Sequence, residues 1–389
     1  MLTISRQTAK RFLYQKKVAP LYKNTLQLLS ELEAIQLDPV SIVDKNHHLT
    51  ASLRIPNYKP SQLELLLKEG HAFEYIAQAA CLLPLTDYPL FADIRHHFSL
   101  RYKEELNRYK ESTSTILSRL ENEGPLASAA FTSLKKVKGG WDTDLLTTKE
   151  TSHVLQLLFY TGDIQIVNRI GATRYFARTA DVIPHSIRHQ ENDMSMDERA
   201  QQLLVKYARA YRLFSSDDPR YGWQRLTASQ RKQFHQRNID SNLFTSVTIE
   251  GVKRPYAILT NDLDSLLSHS RELEPSIQFL SPLDPFLWRR ERIEDLYSFV
   301  YRWEIYTPAS KRKIGPYGMP ILWNGELVGQ LSSHHNRANG QLVVEQIYLV
   351  KDFPMTEGNF ANLAAALEQL AKRIGAYQID WDQSIQHLD

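Results

Sequence analysis

The chain has 389 residues, enough for roughly two to four domains, and its 42% hydrophobic and 23% charged residues are those of an ordinary globular protein. Its one cysteine, Cys81, excludes an internal disulfide and a zinc site built from several thiolates. The net charge of +3 hides two basic clusters: Arg6, Lys10, Arg11, Lys16, Lys17 and Lys23 with no acid in the first thirty residues, and Arg289, Arg290, Arg292, Arg302, Lys311, Arg312 and Lys313 further on.

Such clusters fit either solvated helix faces or a face that tracks a phosphate backbone. The apolar neighbours of Cys81 suggest a buried thiol, and a reducing cytoplasm is the compartment expected. Residues 1–6 are not a basic head followed by an apolar core, and nowhere do about twenty apolar residues run together, so neither a secretion signal nor a membrane span is expected.

In chain order, residues 4–16 read as a basic amphipathic helix with Ala9, Phe12 and Leu13 inward. Pro20 separates it from a helix over 22–32, whose Leu26, Leu29 and Leu32 are spaced by three. Residues 35–38 are short and extended, 43–54 are helical, and a turn at 57–61 starts a helix over 63–68 that Gly70 ends. The apolar run 72–83 has no decisive period. Helices follow over 90–109 and 114–123; Gly124-Pro125 breaks the second, and 126–131 restarts a short helix, the elements of a helix-turn-helix. Gly139-Gly140 reads as a loop and 153–160 as a helix. Residues 164–166 and 175–177 alternate around Gly171, a hairpin in the position of a wing.

Residues 186–197 are polar and read as a linker. Helices over 196–213 and 225–234 lead to a second hairpin, 244–249 and 256–259 around Gly251. Helices closed by a hairpin thus recur, which suggests tandem winged-helix modules. From Glu274 the texture changes. Residues 281–286 form a proline-fixed loop, and β segments are expected at 297–306, 317–323, 326–332 and 341–350. Asn324-Gly325 and Asn339-Gly340 are hairpin turns. A small barrel or strongly curved sheet, closed by a helix over 360–374, accounts for this part. The expected class is α+β, with winged-helix modules at 1–85, 86–190 and 191–272 and a C-terminal small β-barrel at 273–389.

The residues that could carry chemistry are few. No glycine-rich phosphate loop, zinc-protease motif or nucleophile elbow is present. In the pairs His47-His48, His96-His97 and His334-His335 adjacent side chains diverge, so no metal is expected. What remains is Gln36-Leu37-Asp38. Two positions apart in extended chain, the amide and the carboxylate share a face and could hold one water between them, the acid polarising it and the amide orienting it. Asp38-Pro39 equally fits a helix start, with Asp38 as cap. The two roles are compatible.

This stretch resembles the signature of the YcaQ/AlkX-type winged-helix DNA glycosylases, in which Gln, an apolar residue and Asp form the catalytic motif. The similarity runs on in order through Asn46-His47-His48-Leu49, Ser52-Leu53-Arg54, Phe73-Glu74-Tyr75, Cys81-Leu82-Leu83-Pro84, Gly124-Pro125-Leu126 and the segment from Gly162 to Arg178. It ends with Ser281-Pro282-Leu283-Asp284-Pro285 and Tyr306-Thr307-Pro308-Ala309-Ser310-Lys311-Arg312. The resemblance implies tandem winged helices held by a carboxy-terminal barrel, and removal of N7-alkylguanines with unhooking of interstrand crosslinks.

On that implication Gln36 and Asp38 are catalytic and His47 meets the sugar or phosphate near the lesion. Arg54, Arg174, Lys311 and Arg312 are assigned to DNA. The partner is double-stranded DNA with alkylated or crosslinked guanine, bound by a monomer that needs no cofactor and works at the nucleoid. The alternative is a non-catalytic winged-helix regulator, for which dimerisation and paired half-sites are the expected signs.

Overall fold

A computed structural model describes residues 2–139, 147–268, 276–382 and 385–388. Its contacts divide the chain into two compact units, one made of residues 1–59, 207–221 and 225–389, the other of 60–206 and 222–224.

The first unit gathers the two ends of the chain. Ser5 caps the helix Arg6–Lys17 by accepting from the Thr8 amide, and Ala9, Phe12 and Leu13 form its buried stripe. Ahead of that helix, Leu2–Ile4 lies parallel to Phe244–Ile249, which pairs antiparallel with Tyr256–Leu259. The hairpin expected to close the 191–272 segment thus takes its third strand from the chain's own start. Ile4, Phe12, Val247, Tyr256, Phe286 and Ile293 share one core.

A second core lies under the C-terminal sheet. Ile277–Phe279, Gly318–Trp323, Glu326–Asn336 and Gln341–Val350 are antiparallel neighbours in that order, and Gln378–Asp380 and Ile385–Leu388 add parallel to Gln341–Val350. Asn324 and Gly325, both at positive φ, make the tight turn their sequence predicts. The sheet curls into a half-barrel and does not close. Helix Glu357–Ile374 covers it with Leu363, Leu367 and Leu370, capped by Thr356 and ended by left-handed Gly375. Val43 and Leu49 belong to this same core, so the segment after the Gln36-Asp38 stretch is built onto the C-terminal sheet. The strand expected over 297–306 is absent: Arg290–Tyr297 is a helix that left-handed Ser298 ends, and 299–306 is irregular.

The second unit runs through helix Pro60–Lys68, the hairpin Ala72–Ile76 with Ala80–Pro84, and helices Ala92–Arg108, Lys110–Glu123 and Glu150–Thr161. Cys81 is buried there, and burial pushes its thiol up to about 11. The wing-like hairpin forms as Ile164–Ile170 with Thr173–Arg178 around left-handed Gly171.

Two expectations fail in this unit. Of the short helix expected over 126–131 only a 3-10 turn at Ser128–Ala130 forms, and residues 126–127 are instead a third strand on Tyr175 and Phe176. Residues 186–197 are not a linker: His185–Asp193 is a helix whose Glu191 pairs with Arg95 and whose Arg188 donates to the Ile183 carbonyl. Of the expected loop at Gly139-Gly140, Gly140 lies outside the described residues. No helix among the described residues is long and apolar enough to cross a membrane.

Candidate active site

Ile35–Gln36 is a short extended segment, and Leu37 to Lys45 follow without regular structure. Helix Asn46–Arg54 begins only after Lys45 and has no side-chain cap, so Asp38 is not a helix cap. Its Oδ1 instead accepts from the Val40 amide at 2.9 Å, a turn closed by the aspartate over the fixed φ of Pro39. Asp38 is half-buried, and that burial raises its carboxyl above the usual aspartate range while the Val40 amide pulls it partly back. Among the described residues it has no ion pair.

The loop around it is held from several sides. Asn46, 2% exposed, donates to the Gln36 carbonyl at 2.6 Å and accepts from the Ser281 hydroxyl at 2.6 Å. The Tyr317 hydroxyl donates to the Asp44 carbonyl at 3.1 Å. Arg337 donates to the carbonyls of Ser41 and Val43 and to the Ser41 hydroxyl, and the His335 amide to the Ile42 carbonyl at 2.9 Å. The loop is irregular, and helix Asn46–Arg54 together with groups of the C-terminal half-barrel and its turns supply its partners. Asn46, Ser281, Tyr317 and Arg337 were not singled out from the sequence. Only Asn46 and Ser281 left a signal there, as members of the quoted Asn-His-His-Leu and Ser-Pro-Leu-Asp-Pro blocks.

The second of those blocks also corrects the role of Arg54. Its guanidinium makes two bonds to Asp284, at 2.8 and 2.9 Å, and both side chains are 0% exposed. It further donates to the carbonyls of Lys17 and Thr50, while Asp284 accepts from the Phe286 amide. Arg54 is therefore an internal strut and is not available to DNA.

His47 lies in the first turn of the same helix, half-buried, its ring 4.3 Å from that of His48. Lys311 is exposed, and Arg312 is half-buried with its guanidinium on the carbonyls of Thr307 and Ile305. In the second unit, Arg174 lies on the Thr173–Arg178 strand and donates to Gln156 Oε1 at 3.1 Å. Burial lowers its guanidinium from its usual value.

The first basic cluster is largely turned inward: Arg6 donates to the Gly251 carbonyl, Lys10 pairs with Glu326, Lys16 with Asp262, and Lys17 is fully buried. In the second, Arg292 is fully buried on the carbonyls of Tyr211, Leu213 and Phe286. Arg302, Lys311 and Lys313 remain exposed.

Two comparisons bear on this arrangement. In solved structures, the Streptomyces sahachiroi DNA glycosylase AlkZ matches with a TM-score of 0.64 at 14% identity, over 100% of both chains, a likeness of fold. The family model of DNA glycosylase AlkZ-like proteins matches residues 29–377, which includes the Gln36-Asp38 loop and the four antiparallel strands and covering helix of the half-barrel. The chain belongs to the AlkZ-like DNA glycosylase family, and is thus an enzyme of DNA repair and not a non-catalytic regulator.

Proposed function

We propose that this protein hydrolyses the N-glycosidic bond of N7-alkylguanine in duplex DNA and unhooks guanine-linked interstrand crosslinks, with Asp38 as general base and Gln36 as the group that orients water. The observation that carries this reading is Asp38 itself. It is a half-buried carboxylate without an ion pair among the described residues, fixed by a backbone amide and two residues beyond an extended Gln36. A cation developing on the sugar would supply what that carboxylate lacks.

The chemistry then needs one acid only. As the C1′–N9 bond breaks, its electron pair leaves with a base that already carries positive charge, so guanine departs neutral without a proton donor. The sugar cation is stabilised by Asp38, water adds at C1′, and Asp38 accepts the water's proton. A crosslinked base is tethered to the opposite strand and cannot be rotated fully into a pocket, so the reading requires a channel open to duplex DNA. His47 is assigned to the sugar or phosphate beside the lesion, and Lys311, Arg312 and Arg174 to the backbone. The helix-and-hairpin segments 1–85, 86–190 and 191–272 are read as winged-helix modules ahead of the 273–389 sheet, in a protein that acts as a monomer.

The test is incubation of purified protein with duplex DNA carrying one N7-methylguanine, followed by alkaline cleavage of abasic sites. Strand breaks at the lesion, and separation of strands joined by an N7-to-N7 crosslink, are expected. Intact strands on both substrates would refute the assignment.

A further inference from the structure

The C-terminal end of helix Asn46–Arg54 and the C-terminal end of helix Glu357–Ile374 meet at a cavity of about 420 Å³. One wall carries Ser52, Tyr58 and Lys59, the other Gln369, Lys372 and Arg373, and no carboxylate is among its lining residues. The last turn of a helix favours basic side chains, which accounts for Lys372 and Arg373 being there. It does not account for the state of Arg373.

That side chain is half-buried, and its one hydrogen-bonding contact among the described residues is Gln369 Oε1 at 3.5 Å. Burial pulls its guanidinium down from its usual value, with no acid to oppose this. Arginine keeps its charge even so, and a partly dried guanidinium whose donors are mostly unfilled is unfavourable until acceptors complete it. Elsewhere in the same unit the buried guanidinium of Arg54 has a carboxylate and that of Arg292 three carbonyls. This one faces a cavity instead.

We propose that this cavity is a phosphate-oxyanion site, with Arg373 and Lys372 supplying the charge and the donors. Its place in the fold ties it to the candidate active site. The Tyr58 hydroxyl on its wall is hydrogen-bonded to His48 Nδ1 at 2.8 Å, and His48 follows His47 in the helix whose Asn46 holds the Gln36 carbonyl. Nine helical residues rise about 13 Å, roughly four base-pair steps. A phosphodiester several nucleotides from the lesion is one source of the anion, a free phosphate compound the other. The first source rests on DNA lying at Asp38; the second does not.

The experiment uses the full chain as wild type, Lys372→Gln, Arg373→Gln, Arg373→Lys and the double glutamine variant, each measured in two ways. The first is the slope of log affinity against log salt for undamaged duplex. The second is calorimetric titration with inorganic phosphate. If the backbone is the source, the double glutamine variant loses about one unit of slope, Arg373→Lys retains it, and excision at saturating DNA is unchanged.

If a free phosphate compound is the source, phosphate binds wild type and not the glutamine variant while the slope stays constant. No change in either measurement overturns the proposal. Asp38→Asn run alongside separates the two claims, since loss of the catalytic assignment leaves both binding measurements untouched. Lys372 is exposed, so Lys372→Gln alone carries the test if Arg373→Gln fails to fold.

Discussion

Among the described residues Asp38 has no ion pair, unlike several buried acids of its unit. Asp284 is met by Arg54, Glu33 by Arg209, and Asp262 by Lys16 and Arg212. A carboxylate paired in that way is already committed; Asp38 is not. Asp38→Asn keeps an oxygen for the Val40 amide, so it should fold and bind DNA as wild type does. Its single-turnover excision rate should fall by roughly 10²–10⁴. The wild-type rate should rise with pH through a limb above the ordinary aspartate range, because only the ionised form takes the water's proton and burial raises its pKa; in Asp38→Asn that limb should vanish. Stability runs the other way. The folded carboxyl holds its proton to higher pH than the unfolded one, so the folded state binds more protons in between and loses stability as pH rises through that window. The Asn variant should therefore melt no lower than wild type at pH 7, and a lower melting temperature would show that the ionised carboxylate stabilises the fold.

At the scale of elements, the Gln36-Asp38 loop is held by a helix and a half-barrel that the sequence separates by more than two hundred residues. Asn46→Ala leaves the Gln36 carbonyl and the Ser281 hydroxyl without their partner. It should lower stability by about 1–3 kcal/mol and slow excision at saturating DNA by roughly ten- to a hundredfold with affinity unchanged. An unaltered rate would mean that Gln36 is held well enough by its neighbours. Arg54→Ala should instead destabilise the whole unit, by about 3–5 kcal/mol, since it strands Asp284 in the core. These cases show what a sequence displays and what it conceals. Asn324-Gly325 was legible because a tight turn is written in adjacent residues, and the hairpin around Gly171 for the same reason. Arg54 read as a surface base because its partner Asp284 lies far along the chain, and charge is placed outside by default. The helix His185–Asp193 read as a linker because its polar residues serve ion pairs and carbonyls that no local pattern announces. Gln36 and Asp38 stood out through their block of neighbours, whereas Tyr317 and Arg337 act on the loop from turns at strand ends that only the fold brings there.

For the whole molecule, the proposed function rests chemistry on the charge of the leaving base and binding on the backbone. Affinity for undamaged duplex should fall steeply with salt and vary little with sequence, and a single preferred palindrome bound by a dimer would contradict that. Substrate choice should follow charge over size: N7-methylguanine and an N7-to-N7 crosslink should react, uracil and hypoxanthine should not. A flipping pocket would accept small neutral bases and exclude the tethered adduct. The most direct measurement is a single-turnover time course on one duplex with a central N7-methylguanine, run with wild type and Asp38→Asn at enzyme excess and read as alkali-sensitive strand breaks. Breaks at the lesion are expected with wild type, and a rate roughly a hundredfold or more lower with the variant, at equal DNA occupancy. Equal rates for the two proteins would contradict the proposed role of Asp38.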